Sequence, residues 1–366
     1  MSVEIKQYEE HAGGVGSASG APRTDDATPH PALRHTRSSA DTLRAAVTPF
    51  AARLGGNQEF VLDRTDPKNA AVLQHIPDAA PHMTFREALD LHGFRHLWLW
   101  KTAVMEGIGT MLLVYITGWT SLSPGAFPPP PDPTSASGIF STAPFLGPLV
   151  GGITSAIFIA MFIFCFGSVT GGHLNPLITI STFFARLTSL PRAILYVTFQ
   201  IAGATLAGLL LRASYDGRDF KVGGCWLNPA EISVGSAFAT EFSASLVLVF
   251  IAFGVGLDPR QAQIFGPSLG PIFVGLGAGS VIFSMAFTRP GYGGAAMNPT
   301  RCFGAFVGSE FPGWHWIHWV ATVLAAAVHG VVYYLIPPWD GMGGHAEKVL
   351  VRGGEKRRAG DEESSR

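Results

Sequence analysis

From Leu97 to Pro338 the chain carries only 17 of its 51 Asp, Glu, Lys and Arg side chains, in 242 residues. A soluble domain holds about 25% charged residues. With roughly one in fourteen, this stretch would leave large apolar patches facing water. Hydrocarbon as the solvent removes the difficulty, so residues 97–338 read as a membrane domain. The other 124 residues hold the remaining 34 charges, an ordinary density. Net charge is -1 and the middle has no basic face, so nucleic-acid binding lacks its electrostatic footprint. Three cysteines make no disulfide framework, and no CxxC or Cys/His spacing suggests zinc. Neither metal nor cofactor is expected.

Residues 1 to about 83 are rich in Gly, Ala, Ser, Pro, Asp and Arg, without sustained periodicity. Such a composition does not offset ordering entropy, so residues 1–96 read as a mostly disordered cytoplasmic tail and residues 339–366 as another. No apolar h-region precedes Leu97, so the first hydrophobic segment is expected to start insertion itself. The Arg34–Ser39 run sets arginines beside Ser38 and Ser39; a solvated tail is preferred there over a kinase substrate. Thr84 and Glu87 form a capping-box pattern that predicts a short helix leading into the membrane.

Six segments reach the roughly 20 apolar residues a spanning helix needs: Trp98–Thr120, Leu146–Ser168, Pro191–Ala213, Ser233–Val255, Ser268–Thr288 and His315–Pro338. All are rich in Gly and Ala, which lets helix backbones approach closely in lipid. Arg86, Arg95, Lys101, Arg186, Arg192, Arg260, Arg352, Lys356, Arg357 and Arg358 fall on one side, read as cytoplasmic. The opposite side has the Pro124–Pro133 loop without Lys or Arg, then Arg212, Arg218, Lys221 and Arg289, which weaken the bias without reversing it. Both termini are expected in the cytoplasm, with the plasma membrane preferred over an internal one.

The chain is internally duplicated. Gly171-Gly172-His173-Leu174-Asn175-Pro176-Leu177 follows the second segment, and Gly294-Ala295-Ala296-Met297-Asn298-Pro299-Thr300 follows the fifth. Each leads into an apolar run too short to cross a bilayer, Ile178–Ala185 and Cys302–Gly308. Glu106 and Glu241 match in the first and fourth segments, each followed four residues later by a hydroxyl, Thr110 and Ser245. Two halves of three spans lie in opposite orientations, so the Asn-Pro motifs enter from opposite faces and can meet at the midplane. Asn is a good N-cap and Pro a good first helical residue. Two half-helix N-termini then point positive dipole ends at one path, and each Asn can spare an N–H for a passing solute. Neutral hydrogen-bonding solutes are favoured over cations and protons.

These paired motifs resemble those of the aquaporins, or major intrinsic proteins. The resemblance covers about Trp98 to Pro338 and extends to Arg301 and Phe303-Gly304 after the second motif. It implies an all-α membrane fold of six transmembrane helices plus two re-entrant half-helices in an inverted repeat, assembled as a homotetramer. By resemblance, Arg301 lies in the outer constriction. Ungapped counting from the motifs assigns Ser155, Ala286 and Ala295 to the other three filter positions. Ser155 and Ala286 are small where water-selective members have aromatic and His side chains, which implies passage of glycerol as well as water. Cys302 stands where glycerol-conducting relatives tend to have Asp, and Trp319 resembles the water-type pattern. The family's Asn-Pro-Ala ends here in Leu177 and Thr300, which bears on the width at the midplane. A literal Asn-Pro-Ala at Asn228–Ala230 lacks the glycines and the following short helix, and reads as a loop turn or a helix start.

Other ionisable side chains carry competing readings. Glu106 and Glu241 could relay protons; support of the re-entrant loops through backbone amides, implied by the resemblance, is preferred. His173 reads as loop support or pore lining. His318 and His329 could gate by pH, with helix packing preferred. Cys225 and Cys302 both lie on the outer side and could pair, with free thiols as the default. The chain is therefore read as a passive channel for water and small uncharged solutes, not an enzyme. The alternative is a non-conducting membrane interaction or adhesion protein. An ion-coupled transporter ranks last, since only the two Glu and His329 could serve it.

Overall fold

The computed structural model describes residues 49–55, 61–124, 146–259, 261–287 and 291–335. The Arg34–Ser39 run, most of the Pro124–Pro133 loop, Arg260, Arg289 and the C-terminal basic residues lie outside them. Among the described residues, six helices are long and apolar enough to cross a membrane. They are α1 (Leu97–Thr120), α2 (Leu146–Thr170), α4 (Leu190–Tyr215), α5 (Val234–Ala252, continued by a wider turn to Leu257), α6 (Gln261–Phe287) and α8 (Ile317–Leu335). Between them lie two short helices, α3 (Pro176–Phe184) and α7 (Pro299–Gly308). At a rise of about 1.5 Å per residue, α1 spans roughly 36 Å and α3 only about 14 Å, half a bilayer core.

Local chemistry sets the helix ends. Asn175 and Asn298 cap α3 and α7 by accepting from the amides of Leu177 and Thr300, with Pro176 and Pro299 at the first helical position. α4 opens on Pro191 and stops at Asp216, whose φ of 56° is left-handed. Along the helices small residues permit close contact. Gly203 of α4 packs on the Gly107 carbonyl of α1, and Gly279 of α6 on the Gly152 carbonyl of α2. The third helix of each half packs on the half-helix of the other: Gly208 of α4 on Gly304 of α7, and Gly330 of α8 on Ser181 and Phe184 of α3. Outward, Ile153, Ile157, Met161, Leu206 and Leu209 expose apolar side chains, as a lipid solvent allows.

The side that carries the start of α1 is called here the N-terminal face. On the opposite face, β1 (Leu122–Pro124) pairs antiparallel with β2 (Phe220–Val222). Asn228–Ala230 forms an exposed turn there, in which Asn228 Nδ2 donates to Glu231 at 2.8 Å.

On the N-terminal face the structure departs from the compositional reading of residues 1–83 as a tail. Short helical turns fill Pro67–Ala79, and the Thr84–Glu87 capping box forms. Asp78 makes a two-pronged ion pair with Arg192, at 2.8 and 3.0 Å, and accepts from the Ser189 hydroxyl at 2.7 Å. Phe50, Ala51, Ala52, Arg53 and Leu54 are all 3% exposed or less. Their ordering is offset by apolar burial against the membrane domain, a partner that average composition does not register.

Candidate pore and its two mouths

The two half-helices meet end to end. Asn175 Nδ2 donates to the Met297 carbonyl at 2.8 Å, and Asn298 Nδ2 donates to the Leu174 carbonyl at 3.2 Å. Each Asn thus caps its own half-helix with its oxygen and braces the other motif with one N–H, leaving a second N–H for a solute. The residues before the two Asn, Leu174 and Met297, share a left-handed backbone, φ 50° and 53°. Such a conformation is costly for a non-glycine residue and persists where its surroundings fix it.

The surroundings are the two intramembrane carboxylates. Glu106 accepts from the Leu174 amide and, at 3.0 Å, from Gln200. Glu241 accepts from the amides of Ala296 at 3.0 Å and Met297 at 2.9 Å, and from the Tyr292 hydroxyl at 3.3 Å. Both are fully buried, and neither lines the central cavity. Their geometry is that of loop support, the usual resolution of a costly buried charge by backbone N–H donors.

The central cavity has a volume of about 60 Å³, room for a short file of waters at roughly 15 Å³ each. Its wall is largely apolar, with Leu113, Val114, Ile159, Ile163, Leu248 and Val274, and its polar groups are Thr117, Ser155, His173, Asn175, Asn298 and Arg301. Leu177 and Thr300, the departures at the third motif position, are 0% exposed and line no part of it. Leu177 packs in the core behind the pore, and the Thr300 hydroxyl donates to Asn298 Oδ1 at 2.6 Å. Pore width at the midplane therefore does not depend directly on those two side chains.

Near the opposite face Arg301 reaches across the cavity end. It donates to the Gly223 carbonyl at 2.6 Å, to the Thr117 carbonyl at 3.2 Å and to the Ser121 hydroxyl at 2.8 Å. Among the described residues its hydrogen bonds go to carbonyls, hydroxyls and a sulfur, and none to a carboxylate. Cys302 forms a disulfide with Cys225, where free thiols were the default expectation. The bond ties the loop bearing Gly223 to α7. Of the other counted filter positions, Ser155 lines the cavity. Ala286 stands against Gly294, and Ala295 is buried in the core. Thr117, Ile282 and Ala296 line the cavity and were not singled out from sequence. No sequence signal marks Thr117 or Ser121, which meet Arg301 across 184 and 180 positions of chain.

The histidines separate by environment. His173 lines the cavity; its Nε2 donates to the Ala52 carbonyl at 2.7 Å, leaving Nδ1 to face the Thr179 hydroxyl at 3.1 Å. His329 packs between Phe250 and Phe253 and meets Ser181 at 3.2 Å. His318 lies 3.4 Å from Glu241, away from the cavity.

The sequence of residues 93–333 matches the family profile described as "Major intrinsic protein". An "Aquaporin PIP-type" of Atriplex canescens is 32% identical over 245 residues, 64% of this chain and 82% of its own length. "Aquaporin-B" of Dictyostelium discoideum is 27% identical over 257 residues, with the same two coverages, 64% and 82%. An X-ray structure of the aquaglyceroporin from Plasmodium falciparum aligns over 66% of this chain and 98% of its own, at 19% identity and a TM-score of 0.48.

Proposed function

This chain belongs to the major intrinsic protein family, and on that premise we propose that it is a passive channel for water and small uncharged solutes such as glycerol. The single observation that carries the reading is the pair of Asn amides facing one cavity from opposite half-helices. Their free N–H groups and the two positive helix ends favour neutral solutes with acceptor oxygens and oppose cations. Arg301 adds a fixed positive charge at the cavity end. The small side chain of Ser155 at the cavity wall supports passage of a solute larger than water. Family relatives named as aquaporins support the same class of cargo.

In this reading the N-terminal face is cytoplasmic, as the Lys and Arg distribution supports, and four copies form the assembly, as the family resemblance implies. Stopped-flow swelling of proteoliposomes tests the channel. It is run on the full-length chain and on the Leu54→Asp variant described below. Water permeability above that of empty vesicles is expected in the variant. Neither protein exceeding empty vesicles, for water and for glycerol, overturns the reading.

A further inference from the structure

The N-terminal mouth of the cavity is itself a binding site, and its occupant is part of this chain. Residues Phe50–Gly55 lie well upstream of residue 93, where the family match begins. They are nonetheless among the most deeply buried of the described residues. Leu54 contributes to the wall of the central cavity, beside Ile163, Leu248 and Val274.

The seat is specific in its chemistry. The last carbonyls of α2 have no partner within the helix and carry its negative dipole end. Arg53 Nη1 donates to two of them, Gly167 and Ser168, at 2.8 Å each. The Leu54 amide donates to the Gly171 carbonyl at 2.8 Å, and His173 Nε2 holds the Ala52 carbonyl. Gly55 is wedged against Ile163 and Gly167 of α2 and Pro271 of α6, with no space for a Cβ. From α5's final turn, Gly256 approaches the Leu54 carbonyl closely enough that a Cβ there would lie 3.2 Å away. The segment thus touches α2, α5, α6 and the first re-entrant loop, which together frame the mouth. Behind it, the Phe50 ring lies 4.0 Å under the Arg192 guanidinium, and the Ala51 amide donates to the Asp78 carbonyl at 2.8 Å.

We propose that Phe50–Gly55 is a resident plug that recognises the mouth through a guanidinium followed by an aliphatic side chain, and that conduction requires its withdrawal. The proposal rests on the channel reading above. A plug bound by contacts independent of the membrane helices' own packing can leave without unfolding them. The open fraction is then the population of the unseated state. Leu54 closes the cavity at the N-terminal end, while Arg301 stands at the other; the two constrictions act independently.

The test uses the full-length chain and two variants, Arg53→Ala and Leu54→Asp, in proteoliposomes. Arg53→Ala removes two hydrogen bonds of a charged donor, and Leu54→Asp would have to bury a carboxylate in an apolar mouth. Each is expected to shift the seated-to-unseated ratio by ~10-fold or more and to raise water permeability by several-fold. Hydrogen exchange of the segment spanning Ala51–Gly55 reads the seat without reference to conduction. It is expected to be slow in the parent chain and fast in both variants. Equal permeability of parent and variants, with conduction present, overturns the plug and leaves the channel standing. Fast exchange in the parent chain also overturns the plug. Slow parent exchange with no conduction in any of the three proteins retains the seat but overturns the channel, and with it the gating role.

Discussion

The side-chain amide of Asn175 donates to the carbonyl of Met297 at 2.8 Å, so the first motif's cap is also the second motif's brace. Asn298 reciprocates on Leu174 at 3.2 Å. Replacing Asn175 with Asp keeps the helix cap but substitutes an acceptor for the donor, leaving two oxygens facing each other. A loss of about 1–3 kcal/mol in stability is expected, from the broken hydrogen bond and the unsatisfied carbonyl. Thermal unfolding in detergent measures it, and Asn298→Asp should fall in the same range. A variant as stable as the parent would show that the cross-brace contributes nothing.

Leu177 is fully buried behind the pore, packed with the core that contains Leu248. Leu177→Ala restores the family's third residue without widening the path. It is expected to cost about 2–5 kcal/mol through the cavity it leaves. The glycerol-to-water permeability ratio, compared in the Leu54→Asp background, should stay at its starting value. A changed ratio with unchanged stability would place this side chain in the pore after all.

Arg301 is held to Gly223, Thr117 and Ser121, and the Cys225–Cys302 bond fixes the loop that supplies Gly223. Arg301→Ala is expected to raise the glycerol-to-water ratio and to admit a proton or cation leak, since the fixed charge is removed. Cys225→Ser keeps the charge but frees its collar, so the ratio should rise less and the leak should stay low. The measurement is solute swelling alongside a pH-sensitive dye inside the vesicles. Identical behaviour of the two variants would assign the effect to loop structure and not to the Arg301 charge.

Asp78, whose carbonyl accepts from the Ala51 amide of the plug segment, is clamped to α4 by Arg192. Burial by itself raises the Asp78 carboxyl, but the Arg192 charge and the hydrogen bonds from Arg192 and Ser189 hold it below the ordinary carboxylate range. A carboxyl lowered in the folded state stabilises fully above its unfolded pKa of about 4 and loses that contribution as pH falls through the lower folded value. The clamp should therefore be insensitive to pH from about 5 to 8 and weaken only in stronger acid. Asp78→Asn leaves Arg192 buried without its counter-charge, at a cost of roughly 3–5 kcal/mol at neutral pH. Melting temperatures of parent and variant should differ by a constant amount across neutral pH and converge below about pH 4. A gap that varies between pH 6 and 8 would point to another titrating group.

The spans, the half-helices and the Asn-Pro caps were readable along the chain because each answers to a short-range rule. A bilayer demands about 20 apolar residues in a row, and a helix start is decided by the cap and the residue after it. Expected and observed helices accordingly agree to within a few residues, apart from the earlier start of α6. Glu106 and Glu241 stood out for a similar reason, as carboxylates in spans where charge is otherwise scarce.

Where a side chain ends up relative to the path is a different matter. Leu177 and Thr300 are adjacent in sequence to the pore Asn pair's prolines, yet helix geometry turns them away from the cavity. Arg301 finds Ser121 across 180 positions and the Gly223 carbonyl across 78, and nothing local announces either. Cys225 and Cys302, 77 residues apart, pair only because the loop and α7 converge.

Phe50–Gly55 marks the boundary most sharply. Composition averages over a window, and in that window polar and small residues prevail, so the segment reads as tail. The charge-poor apolar run from Leu97 to Pro338 dictated the solvent and hence the helices. Whether a short stretch outside that run is buried depended on a complementary surface, the carbonyl-rimmed mouth of α2, which exists only after the helices have packed.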